Sequence, residues 1–274
     1  HGAQIVAGTT QVGALDLGAN IASIQPPQGT LTLKAAQVAG SGFAFDALDL
    51  DASGNQQAHE LELAAHGSPL ALKLALSGSA RDDGRWNGTL KTLDVAIKQA
   101  PPLALEQPAQ LAWNGSRFSA GEICLAGSGS KLCVAGNGGA DGALAARYRI
   151  EQLPLALIAR LSSPDAPLKV DGVIDGHGDI QRAANGALNG SAAISSDKGS
   201  IAYPDNANQP LLTYTGLALE AKLSPQSTHA TVHAALDHDG RLDVAVTLSG
   251  APGSTQALSG HVDLDLNSLA FVEL

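Results

Sequence analysis

Leu70-Ala71-Leu72-Lys73-Leu74-Ala75-Leu76-Ser77 alternates a large apolar residue with a small or polar one over eight positions. A period of two sends successive side chains to opposite faces of an extended chain, so Leu70, Leu72, Leu74 and Leu76 share one face and Lys73 and Ser77 the other. The same rhythm recurs at Val12 to Ile21, Leu31 to Val38, Phe43 to Asp51 and His59 to Ala65, with Pro26-Pro27, Ser53-Gly54-Asn55 and Gly67-Ser68-Pro69 as breaks. Asp82-Asp83-Gly84-Arg85 and Asp237-His238-Asp239-Gly240-Arg241 are Asp-Gly turns between alternating runs and predict hairpins. The expectation is an all-β chain, mostly antiparallel, with one apolar face.

One stretch breaks the period. Leu153 to Leu161 carries apolar residues at 153, 155, 157, 158 and 161, a spacing that fits a short helix about as well as a strand, and Ser162-Ser163-Pro164-Asp165 ends it. Beyond it, glycines at 172, 176, 178, 186, 190 and 199 interrupt short strands such as Leu168 to Ile174 and Ala187 to Ile194, which predicts strong local curling. A soft boundary near residue 150 separates a first β segment, 1–150, from a second, Gly-rich one, 151–274.

Composition limits what the apolar face can hold. Of 274 residues, aromatics are only 3% (Phe 4, Trp 2, Tyr 3), so the stacking platforms of sugar clefts and single-stranded nucleic-acid grooves are scarce. A formal charge of −10 disfavours phosphate backbones and anionic membrane surfaces. An aliphatic ligand fits best, and nucleic acid is not expected. No apolar run approaches the roughly 18 residues a membrane helix needs. With Met 0, a start at His1-Gly2 and an end at Phe271-Val272-Glu273-Leu274, the chain reads as a piece of a longer protein.

The residues that could carry chemistry do not assemble in the sequence. There is no G-x-S-x-G elbow. Gly127-Ser128-Gly129 and Gly176-His177-Gly178 lack the strand-to-helix setting of a phosphate loop and read as turns. His229 and His233 share a strand face beside His238, yet solvated histidines on an acidic sheet explain them more simply than a metal does. Asp237, Asp239 and Asp243 lack the rest of a calcium loop, and Asp263 and Asp265 alternate with Val262, Leu264 and Leu266 as a wet strand face should. Asn87-Gly88-Thr89, Asn114-Gly115-Ser116 and Asn189-Gly190-Ser191 match the glycosylation pattern, which arises readily in such a composition. No enzyme, cofactor or metal is expected.

Cys124 and Cys133 flank Gly127-Ser128-Gly129-Ser130, with Glu122 to Leu125 and Lys131 to Ala135 as strands on either side. That arrangement can bring the sulfurs together and predicts a disulfide, which belongs to an oxidising compartment such as the periplasm. Two buried reduced thiols are the other reading.

Trp86-Asn87-Gly88-Thr89-Leu90, Leu93-Asp94-Val95, Leu105-Glu106-Gln107-Pro108-Ala109, Cys124-Leu125 with Leu132-Cys133-Val134, and Leu153-Pro154-Leu155 together resemble the middle part of the TamB family, among the AsmA-like bridge proteins. Gly186-Ala187-Leu188-Asn189-Gly190 and Leu258 to Leu264 are similar to that family's repeated pattern, so the resemblance covers roughly residues 60 to 274. It implies a long curled sheet, a β-taco or solenoid-like form, with an aliphatic concave face. It also implies a periplasmic location with an inner-membrane anchor elsewhere in the chain, a TamA-like outer-membrane barrel as partner through regions outside this sequence, and roles in phospholipid transport and outer-membrane protein assembly. No catalytic residues come with it.

The expected groove wall is Leu70, Leu72, Leu74, Leu76, Leu93, Val95, Ile97, Val244, Val246, Leu248, Val262, Leu264 and Leu266, facing phospholipid acyl chains. At about 4.8 Å per strand, a continuous sheet would run to roughly 100 Å. The competing expectations are an apolar face closed on itself as a dry core, a secreted β-solenoid (adhesin passenger or polysaccharide-processing enzyme), and a structural periplasmic spacer.

Overall fold

The computed structural model describes residues 2–266 apart from 9, 26, 41–42, 99, 163–165, 204–209, 238 and 251–255. Pro26, Ser163, Pro164, Asp165 and His238, invoked above as breaks, a helix stop and a turn histidine, lie outside the described residues. The chain divides into two compact units, His1–Gly129 and Ser130–Leu274.

The first unit holds ten strands: β1 (Gly2–Ala7), β2 (Thr10–Ile24), β3 (Pro27–Gly40), β4 (Phe43–Asn55), β5 (His59–Ser68), β6 (Leu70–Ala80), β7 (Trp86–Ile97), β8 (Leu103–Leu105), β9 (Ala109–Trp113) and β10 (Arg117–Gly127). From β1 to β7 each strand pairs antiparallel with the next. The short β8 and β9 then share one place, each pairing with β7 on one side and β10 on the other.

The second unit holds β11 (Ser130–Gly139), β12 (Leu144–Pro154), the helix α1 (Leu155–Ser162), β13 (Lys169–Arg182), β14 (Leu188–Ala202), β15 (Leu212–Ser224), β16 (Ser227–Leu236), β17 (Arg241–Ser249) and β18 (Ala257–Asp265). These strands also pair antiparallel in chain order. The fold is therefore an antiparallel β-sheet protein with one short helix, as the alternation predicts, and the described pairings contain no parallel rungs of a β-solenoid.

The two Asp-Gly turns close hairpins. Arg81 N–H donates to Arg85 O at 2.8 Å between β6 and β7, and Leu236 N–H donates to Gly240 O at 2.8 Å between β16 and β17. Other boundaries differ from the expectation. Ser53-Gly54-Asn55 does not break β4: the strand runs through it, and Asn55 Oδ1 turns the chain only afterwards by accepting from the N–H groups of Gln57 and Ala58.

The glycine-rich region is likewise not cut into short strands. β13 and β14 are 14 and 15 residues long and carry Gly172, Gly176, Gly178, Gly190 and Gly199 inside them. At Gly199 a methyl group would strike the ring of Tyr214, which lies over the bare backbone and replaces the missing side-chain contact. The helix spans Leu155–Ser162, two residues later than the apolar spacing starts, because Leu153 and Pro154 complete β12 as partners of Ile174 and Val173.

Little of this molecule is sealed. The buried apolar residues are Ala35, Ala65, Leu90, Ile97, Leu103 and Ala109 in the first unit, and Cys133, Leu153, Leu157, Ile174, Ala202, Tyr214 and Ala234 in the second. In the second unit the helix packs against β13 and β12 and buries Leu157, and the Tyr214 and Ser196 hydroxyls meet at 2.9 Å.

Candidate functional site: one apolar sheet face

Antiparallel register brings the alternating residues of neighbouring strands together in rows that run across the strands. In the first unit, Leu17, Leu33, Leu50, Leu63, Leu74 and Leu93 are successive register partners on β2 to β7. The adjoining row on one side is Ala19, Leu31, Ala52, Leu61, Leu76 and Leu90. On the other side it is Leu15, Ala35, Leu48, Ala65, Leu72 and Val95, which Leu103 of β8 extends.

The expected residues Leu70, Leu72, Leu74 and Leu76 thus stand opposite Ile97, Val95, Leu93 and Leu90 on the same face. Leu90 escapes the sequence reading because it is three residues from Leu93. A register shift at Ala75/Leu76 leaves Lys91 as an extra residue, which restores Leu90 to the apolar face, where it is 4% exposed.

The second unit repeats the arrangement. Leu132, Ile150, Gly176, Ile194, Leu219, Val232, Val244 and Val262 form one row through all its strands, β11 to β18. Val246 and Leu248 stand between Ala230 and Gly260 and between Thr228 and Leu258, and Leu264 is the partner of Leu242. Leu266 follows the end of β18 and is half-buried. Near α1 a second irregularity keeps the face apolar: Gln152 adopts φ 48°, its N–H and Nε2 donate to the Asp175 carboxylate at 3.0 and 2.7 Å, and Leu153 is brought opposite Ile174.

The opposite face is polar and paired by charge. Lys34 lies between Asp16 and Asp49, and Lys73 is the partner of Asp94. Lys91 Nζ donates to Glu60 Oε1 at 2.7 Å, and that ammonium holds the Glu60 carboxyl below its ordinary range. In the second unit His233 Nδ1 and Asp243 Oδ1 are 2.6 Å apart, and Arg149 Nε lies 3.2 Å from Glu151. The two faces therefore differ in kind: one offers no charge and the other is laced with it.

The apolar face is only part-covered. Most of its leucines are half-buried, and Leu17, Ile21, Leu258, Val262 and Leu264 are 57, 71, 73, 65 and 56% exposed. A hollow of about 790 Å³ opens along the β2–β5 end of the face, against Ala19, Ile21, Ile24, Leu31, Ala52 and Leu61. That volume lies in the range of small-ligand sites, about 300–1,000 Å³.

The histidines and carboxylates weighed from sequence are placed as sheet residues. His229 Nδ1 lies 2.9 Å from Thr247 Oγ1, and Asp237 Oδ2 accepts from Thr213 N–H at 3.2 Å. Among the described residues, no three His, Cys, Asp or Glu side chains gather as metal ligands. Gly176-His177-Gly178 lies inside β13, not in a turn, and Asn114 Oδ1 caps a turn by accepting from Ser116 and Arg117 N–H. Cys133 is 2% exposed.

Among the described residues no helix is long and apolar enough to cross a membrane. No solved structure matches the chain. A family model described as TamB, N-terminal domain, matches residues 2–274. The match takes in the first strands as well as the stretch from residue 60 that carries the resemblance in the sequence, and it is to the family's N-terminal domain and not to a middle part. On that match over essentially its whole length, this chain belongs to the TamB family as its N-terminal domain.

Proposed function

We propose that this domain is a periplasmic segment whose apolar sheet face carries phospholipid acyl chains between the inner and outer membranes, and so supports outer-membrane protein assembly. The observation that carries the reading is the uninterrupted apolar rows on β2 to β7 and on β11 to β18, only part-covered while the charged residues collect on the other face. A stable soluble domain normally covers such a surface, and a large exposed apolar patch marks an interaction site.

The energetics suit a lipid tail. Removing a methylene from water is worth about 0.8 kcal/mol, so an acyl chain of roughly 16 carbons costs on the order of 13 kcal/mol to expose. A continuous aliphatic face removes most of that cost wherever the chain stands along it. The absence of charge on the rows leaves no fixed polar partner that would hold a lipid in one place. The same reading has a TamA-like outer-membrane barrel as partner and an inner-membrane anchor, both engaged through parts of the protein beyond this sequence. A bond between Cys124 and Cys133 belongs to it as well, since an oxidising compartment would preserve it. Mass spectrometry of the protein digested without reduction should find the two cysteine peptides linked, and free alkylatable thiols on both would contradict the pairing.

Lipid extraction followed by mass spectrometry tests the main claim. Gently purified protein should carry phospholipid, and protein that carries none would favour a spacer.

A further inference from the structure

Where the leucine rows of the first unit give out, the sheet changes character. The next row on the same face runs Gly29, Gly54, His59, Gly78 and Gly88, register partners on β3 to β7. Gly78 and Gly88 have ordinary strand backbones, so their φ angles do not require glycine. Their reason is Trp86: a methyl group at Gly78 would sit 2.6 Å from the indole Nε1, and one at Gly88 would collide with the ring's far edge. The indole lies flat on bare backbone.

A hydrogen bond fixes it there. Trp86 Nε1–H donates to His59 Nε2 at 2.7 Å, with the two rings 24° from parallel, and His59 Nδ1 lies 3.2 Å from Asn55 O. An indole only donates and a carbonyl only accepts, so the contacts select the neutral imidazole with its proton on Nδ1.

Trp86 also begins a row of its own. Its register partner is Trp113, whose partner is Phe118, so both tryptophans of a chain with Trp 2 and aromatics at 3% stand side by side. Trp113 and Phe118 are 42 and 44% exposed. The row stands where the turns at 81–85 and 114–116 close this end of the sheet, at its boundary with water, since residues 113–118 are all exposed.

Resting on the lipid-carrying reading above, we propose that the row Trp86, Trp113, Phe118 is the rim at which a phospholipid's headgroup leaves the apolar face, its tails lying over the leucine rows and its headgroup in the water beyond the turns. Tryptophan suits a boundary with one apolar and one wet side. Trp86, held down by His59, is a positioning residue: flat on Gly78 and Gly88, it carries apolar surface over exposed peptide up to the rim.

Because the only two tryptophans lie in this row, the unmodified protein reports on it. Loaded with phosphatidylcholine brominated near the glycerol or near the methyl end of its chains, tryptophan emission should be quenched more by the glycerol-proximal bromines. Equal quenching, stronger quenching from the methyl end, or no quenching while mass spectrometry finds bound lipid would overturn the rim and leave lipid carriage standing. No bound lipid at all would overturn both. His59→Ala should narrow the difference between the two lipids, whereas His59→Gln, which keeps an acceptor, should preserve it. An unchanged difference in His59→Ala would overturn the positioning role.

Discussion

Each of the two units makes an apolar sheet face, and they do so from different residues. The first uses leucine against leucine, as in Leu33, Leu50, Leu63, Leu74 and Leu93, and leaves the row only half-buried. The second mixes β-branched residues and glycine with a leucine, as in Gly176, Ile194, Leu219, Val232 and Val244, and seals one end of its face beneath α1 and Tyr214. The difference separates two roles that apolar residues play in one sheet. Where a helix or a ring closes over them they are a core, and where nothing does they are a surface whose contents are supplied from outside.

Substitutions should tell those roles apart. The largest effect belongs under the helix: Ile174→Arg buries a charge at a position 2% exposed, and should cost the second unit more than about 4 kcal/mol. Hydrogen exchange should then show its strands unprotected. Leu153→Ala, at 3% exposure, removes packing without adding charge and should cost about 2–5 kcal/mol in urea denaturation. Leu74→Arg lies in the middle of the open row, and its long stem can lie along neighbouring leucines while the charge reaches water. The expected stability loss is roughly 1 kcal/mol. Lys73→Ala, on the charged face one residue away, should move stability by less than about 0.5 kcal/mol. A loss at Leu74 as large as that at Ile174 would erase the distinction between the units.

Much of the fold is legible in the sequence because a period of two survives in strand after strand. Leu70 to Ser77 predicts both the strand and its apolar face, and the Asp-Gly turns place two hairpins. Register is less legible. Nothing local in Leu90-Lys91-Thr92-Leu93 announces that Lys91 is an extra residue, since its position is set by pairing with β6. The glycines mislead for a related reason: Gly199 reads as a strand breaker until Tyr214, fifteen residues on, is seen to lie over it. The aromatic rim is hidden in the same way, because Trp86, Trp113 and Phe118 are scattered in sequence and become neighbours only through β7, β9 and β10.

The most direct test compares phospholipid retained by the purified protein with that retained by Leu74→Arg, by lipid mass spectrometry on samples matched for folded content. An apolar face that carries acyl chains predicts phospholipid on the unmodified protein and loss of most of it from the folded variant. Equal retention by the two, or no phospholipid on either, would contradict it.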